Sequence, residues 1–256
     1  MDRHDPIAVF DSGVGGVSVL RELRRLMPGE HYLYFGDSAN APYGLKSTDE
    51  VRRLTLDAAE QLFSLGAKCL VVACNTATAA AIEDLRKAHP QRIIVGIEPA
   101  LKLAADRHPG GVIGVMATEV TLREQKLEDL IRRCTQNCTV IPLHSPGIVE
   151  LVESGMADSP EALDLIRQEL SPYANRLDAI VLGCTHYPFV KKAIRTVVGD
   201  SVELLDGGEG TARETRRRLA QADLLTDLAQ GELRIENSAN DPRMTRLTRR
   251  LLDEAL

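Results

Sequence analysis

The sequence predicts an α/β protein made of two similar open, mostly parallel βα domains related by a pseudo-two-fold axis, with the candidate site in the cleft between them. Three observations carry that expectation. Short apolar runs ending in turn residues alternate with stretches of helical periodicity, as in a parallel sheet covered by helices. The order of these runs restarts near residue 112. And Val71-Val72-Ala73-Cys74-Asn75-Thr76-Ala77-Thr78 has a counterpart about a hundred residues later, Val181-Leu182-Gly183-Cys184-Thr185-His186-Tyr187-Pro188, as an internal duplication requires.

In chain order, Ile7-Ala8-Val9-Phe10 reads as a buried strand, and Asp11-Ser12-Gly13-Val14-Gly15-Gly16 turns it into a helix with Val17, Leu20, Leu23 and Met27 on one face. Gly13, Gly15 and an acidic Asp37 after the next strand suggest a dinucleotide fingerprint, but Ser18 occupies its third glycine position. Tyr32-Leu33-Tyr34-Phe35 is the second strand, followed by a polar loop through Pro42-Tyr43-Gly44, either a site-forming loop or a connector. Val51, Leu54, Ala58, Leu62 and Leu65 mark an amphipathic helix that leads into the strand before Cys74, and Ile93-Ile94-Val95-Gly96 closes the first half. The second half repeats the order: Val112-Ile113-Gly114-Val115-Met116, then Thr139-Val140-Ile141-Pro142-Leu143, then Ala179-Ile180-Val181-Leu182, then Val202-Glu203-Leu204-Leu205. The remainder reads as a long helix, a polar linker and a last helix with Met244, Leu247 and Leu251. Arg216-Arg217-Arg218 and Arg249-Arg250 fit solvated helix faces.

With 256 residues, 44% hydrophobic and 27% charged, the chain can bury a full core as one large or two small domains. The start lacks an apolar segment of signal-peptide length, and nowhere do roughly 18 apolar residues run together, so a cytoplasmic protein with no membrane partner is expected. Five widely spaced cysteines fit a reduced compartment. A net charge of −6 with nine aromatics and no Trp argues against nucleic-acid binding.

Cys74 and Cys184 each follow a buried run at what reads as the mouth of a helix, where free N–H groups and the helix dipole should lower a thiol pKa from about 8.5. The alternative is a pair of inert packing residues. Cys134-x-x-x-Cys138 and Cys184-x-His186 make no four-ligand pattern, so no metal is expected. A single-Cys amidohydrolase or lyase using Cys184 with His186 would leave Cys74 unexplained. Racemisation at a carbon bearing hydrogen needs two groups, a base on one face and a conjugate acid on the other. Asp11 and His186 are the candidates to steer those protons, Asp11 beside Cys74 and His186 beside Cys184. The N–H groups at Asn75-Thr76 and Thr185-His186, with the hydroxyls of Ser12, Thr76, Thr118 and Thr185, would form a cradle for carboxylates; for each hydroxyl, helix capping is the simpler role.

Asp11-Ser12-Gly13-Val14-Gly15-Gly16, Gly36-Asp37-Ser38 through Pro42-Tyr43-Gly44, Ala73-Cys74-Asn75-Thr76-Ala77-Thr78 and Gly183-Cys184-Thr185-His186-Tyr187-Pro188 together resemble the bacterial glutamate racemases of the aspartate/glutamate racemase superfamily, over nearly the whole chain. The resemblance implies interconversion of L- and D-glutamate without pyridoxal phosphate or any other cofactor, supplying D-glutamate for peptidoglycan. It assigns Cys74 to the D-enantiomer and Cys184 to the L-enantiomer, and places substrate contacts on Asp11, Ser12, Tyr43, Gly44, Asn75, Thr76, Thr185 and His186. Glu153 matches a carboxylate that assists the second half-site. The resemblance also implies a C-terminal return to the first domain, giving residues 1–98 plus 207–256 and residues 99–206, and a homodimer. Departures from the family pattern are Ser145-Pro146, usually Cys-Pro, and Glu124 and Leu127 after Thr121. A racemase for aspartate or another amino acid remains the alternative within the class.

Overall fold

The computed structural model describes residues 1–118, 121–122, 125–134 and 138–254, the side chains of residues 125–127 and 134 excepted. Glu124 and the side chain of Leu127 therefore lie outside the described residues. The first half runs β1 (Ile7–Asp11), α1 (Val17–Leu26), β2 (Tyr32–Gly36), α2 (Thr48–Ser64), β3 (Cys69–Val72), α3 (Asn75–Ala88) and β4 (Ile93–Gly96). The second runs α4 (Leu101–Arg107), β5 (Val112–Ala117), α5 (Gln125–Cys134), β6 (Thr139–His144), α6 (Ile148–Glu153), α7 (Pro160–Leu170), β7 (Ala179–Leu182), α8 (Lys191–Val198) and β8 (Glu203–Asp206). The chain ends with α9 (Gly208–Gln221), β9 (Leu233–Asn237) and α10 (Pro242–Asp253).

Two parallel sheets result, ordered β4-β3-β1-β2-β9 and β6-β5-β7-β8. With β9 set aside, each sheet carries its third, first and second strands in the same sequence, so the duplication read from the repeats is a duplication of topology. In each, the chain leaves the first strand toward one side and later returns to the other. The crevice at that reversal, beyond the carboxyl ends of β1 and β3 or of β5 and β7, is where open α/β sheets bind ligands. Asp11, Cys74, Thr118 and Cys184 all lie there.

Strands covered on both faces read as unbroken apolar runs, which is why β1 and β3 are buried at every position. Alternate residues serve two cores. Ile7, Val9, Cys69 and Val71 pack with Val17, Leu20 and Leu23 of α1 and Leu219 of α9. Ala8, Phe10, Leu70 and Val72 pack with Val51, Leu54 and Leu62 of α2 and Leu85 of α3. The first core continues into the second domain through Met116, Leu182, Tyr187 and Ile194, so the domains share apolar packing beneath the cleft. Leu65, expected on the α2 stripe, is 41% exposed because that helix stops at Ser64. Ser47 starts the same helix by accepting the Glu50 N–H.

The stretch read as a polar linker is not one. Its end is β9, an edge strand paired parallel to β2 from Tyr32↔Leu233 to Gly36↔Asn237. Its charges face solvent on an outer edge, so it lacks the apolar run that announces a central strand. A buried ion pair holds its approach: the Lys68 ammonium donates to Glu30 and to the carbonyls of Leu224 and Arg3, and Glu30 also accepts the Thr226 N–H at 3.0 Å. The C-terminal residues stay on this side of the molecule, with Arg21 Nε on α1 donating to the Leu252 carbonyl at 3.0 Å.

Candidate active site

Cys74 is the N-cap of α3, in extended conformation, and its sulfur accepts the Ala77 N–H at 3.4 Å. Its thiol lies 3.6 Å from Ser12 Oγ. The expected depressed pKa is not found. Burial pushes the thiol up to about 12, the nearby Asp11 charge adds to the rise, and the Ala77 N–H and Ser12 hydroxyl offset only part of it. The helix mouth still favours the thiolate, but with Cys74 only 5% exposed the cost of desolvating the charge is larger.

Cys184 does not repeat this arrangement. The residues after it form a turn and a short 3-10 helix (Tyr187–Val190) before α8, so the matched motifs end in unlike structures. What faces Cys184 is His186, whose Nδ1 lies 3.6 Å from the sulfur while Nε2 lies 2.6 Å from Glu153 Oε1. Burial alone would discharge the imidazole, but its bonds to Cys184 and Glu153 outweigh that and hold its pKa well above the ordinary value. A protonated ring then donates from both nitrogens.

The halves interlock. Glu153 Oε1 also accepts the Val14 N–H at 2.8 Å, and Asp11, fully buried, accepts the Gly13 N–H and, across the domain boundary, the Thr185 hydroxyl, each at 3.0 Å. Burial raises the Asp11 pKa, opposed by the His186 charge and the Gly13 N–H. Asp11 thus acts on Cys74 through its charge, while its hydrogen bonds run to Gly13 and Thr185. The glycines that suggested a dinucleotide loop serve this approach. A Cβ on Gly13 would lie 1.9 Å from Glu153, and one on Gly15 2.5 Å from the His186 ring. Asp37, the would-be ribose ligand, instead accepts the Tyr43 hydroxyl at 2.6 Å and is 4% exposed. The dinucleotide reading therefore loses both of its supports.

Cys74 and Cys184 line one cavity of about 250 Å³. Ser12, Tyr43, Gly44, Asn75, Thr76, Thr118, Thr185 and His186 line it as well, whereas Asp11 and Glu153 sit behind its wall. Thr76 Oγ1 is 3.1 Å from Thr118 Oγ1, which is 2.9 Å from Thr121 Oγ1, so hydroxyls of both domains meet at the rim. Asn75 presents both polar atoms of its amide, buried and without a hydrogen-bond partner. The motifs did not mark His144 at the end of β6, or Val149 and Glu150 beyond it, as cavity residues, and Ser145 entered only as a departure from the family pattern. The duplication contained their signal, because β6 is the counterpart of β2 and the loop after β2 carries Tyr43 and Gly44. A larger cavity, about 690 Å³, lies where the chain crosses between domains and shares no lining residue with the first.

Two α/β domains with a cysteine beyond each switch point, both lining one cavity, fit a two-domain racemase. The chain belongs to the Asp/Glu/Hydantoin racemase family, which it matches over residues 7–215, and within it to the glutamate racemases. It is 46% identical to glutamate racemase of Clostridium perfringens over 98% of this chain and 97% of that one. Among solved structures, a glutamate racemase isoform of Bacillus anthracis superposes with a TM-score of 0.89 at 30% identity, covering 99% of this chain and 96% of its own. The Escherichia coli glutamate racemase, crystallised with L-glutamate, gives 0.84 at 31% identity, covering 97% and 94%.

Proposed function

We propose that the chain interconverts L- and D-glutamate by proton removal at one thiol and delivery from the other. The observation that carries this reading is that Cys74 and Cys184, one from each half, line the same cavity. Cys184 takes the α-proton of L-glutamate, and Cys74, held as a thiol by burial, supplies a proton to the opposite face. With D-glutamate the roles reverse. His186, braced by Glu153, donates toward the Cys184 sulfur and relays its proton, while Ser12 and the Asp11 charge govern Cys74. The unpartnered Asn75 amide, with Ser12, Thr76, Thr118 and Thr185 and the Tyr43-Gly44 turn, supports binding of an amino acid with two carboxylates. The protein's own thiols suffice for this chemistry, without a cofactor.

Product formed from either enantiomer in D2O should carry deuterium at Cα while recovered substrate initially does not; early label in substrate would point to one base serving both faces. Cys74→Ser and Cys184→Ser should each lose about a thousandfold in kcat. Full activity in Cys74→Ser would sink the two-thiol scheme and favour a single-Cys enzyme using Cys184 and His186. Parallel assays with aspartate test substrate length.

The scheme divides the chain into residues 1–98 plus 207–256, bearing Asp11 and Cys74, and residues 99–206, bearing Cys184 and His186. Among the described residues no helix is long and apolar enough to cross a membrane. We place the enzyme in the cytoplasm as a homodimer supplying D-glutamate for peptidoglycan; sedimentation and fractionation read the first two, and D-glutamate dependence of a deletion strain the third.

A further inference from the structure

Two residues that line the same cavity carry buried polar atoms without a hydrogen-bond partner: Asn75 of the first domain and Ser145 of the second. Ser145 stands in the turn between β6 and α6, the counterpart of the turn after β2 that presents Tyr43 and Gly44. It is 3% exposed, and its carbonyl accepts the Tyr187 hydroxyl at 3.2 Å, which fixes the turn from the strand-end segment that bears Cys184. Its own Oγ is buried and bonds to nothing in the free protein, so a ligand that bonds to it must shift the turn around it. A buried hydroxyl left unpaired destabilises a fold, and a ligand that completes its bonding offsets that cost. Unlike the Thr76, Thr118 and Thr121 hydroxyls, which satisfy one another, Ser145 has its hydrogen-bonding capacity free.

We propose that Ser145 is a substrate-binding and specificity-determining residue, its hydroxyl donating to a carboxylate oxygen of the amino acid held between the thiols. The proposal rests on the two-thiol reading for the identity of the ligand. Asn75 and Ser145 then hold the substrate from opposite domains, and the gap between them selects its length.

The test compares Ser145→Ala and Ser145→Cys with the wild type in racemisation kinetics and in thermal unfolding with and without glutamate. Ser145→Ala should raise KM for glutamate about tenfold with kcat within about twofold, the loss of one hydrogen bond to a charged group. The preference for glutamate over aspartate should narrow, and Ser145→Cys, a weaker donor, should fall between. The free-protein Tm of Ser145→Ala should be no lower than wild type, because an unpaired hydroxyl is removed, while the Tm rise with glutamate shrinks. An unchanged KM together with an unchanged glutamate-induced rise overturns the proposal. So does a lower free-protein Tm, which would mean that the hydroxyl is paired within the fold. The glutamate-induced rise reads binding alone, so it tests Ser145 separately from the roles of Cys74 and Cys184, which the deuterium experiment reads.

Discussion

His186 couples the chemistry to the charge state of the fold, because its ring is gripped by Cys184 on one side and Glu153 on the other. Its pKa is raised in the folded protein, so the stability it contributes is fully present below its unfolded value of about 6.5 and is lost as pH rises through the folded value. His186→Asn should accordingly lower Tm most at or below pH 6.5, with the gap to wild type closing toward alkaline pH, and should cost about a hundredfold in kcat. A gap that widens with pH would show that the imidazole is buried neutral. At this scale the motifs revealed the cavity wall residues whose neighbours are local, such as Ser12, Asn75 and Thr76. The bracing was another matter. Glu153 was reached through resemblance alone, since only folding brings it to His186 and the Val14 N–H, and Ser145 offered no local mark of being unpaired. The Cys74 pKa was misjudged for a related reason: the capping N–H is visible in sequence, and the depth of burial that outweighs it is not.

Eight strands were legible because each is a run of apolar residues between turn signals, and their boundaries shifted by only a residue or so. β9 escaped because an edge strand alternates Leu233 and Ile235 with Arg234 and Glu236, which reads as solvated chain until its pairing with β2 is known. What delivers it is the Lys68–Glu30 pair, with side chains 0% and 2% exposed. Lys68→Met would strand a buried carboxylate and should cost about 3–5 kcal/mol in urea unfolding, whereas Lys68→Met with Glu30→Leu should recover most of the loss. Hydrogen exchange across residues 233–237 should quicken in the single variant and slow again in the double. A double variant that costs the sum of Lys68→Met and Glu30→Leu measured singly would show that the two groups are not coupled.

Across the whole molecule the duplication was legible, since repeated motifs at a fixed separation imply repeated topology. How tightly the halves close was not, because the contacts that close them join residues far apart in the chain. Gly15→Ala tests that closure: its new Cβ would need the space of the His186 ring, so activity should fall at least a hundredfold while the circular dichroism spectrum stays near wild type. Wild-type activity in that variant would mean that the halves work further apart than they stand here. The two thiols themselves are dressed differently, Cys74 by a hydroxyl and a helix end, Cys184 by an imidazole. Mirror-image molecules in water have equal free energies, so kcat/KM must be the same for both enantiomers at every pH, whatever surrounds each sulfur. The mismatch can appear only in how kcat and KM are divided between the two directions. A catalyst of this kind has no preferred direction of its own, and net flux follows whichever enantiomer is being withdrawn.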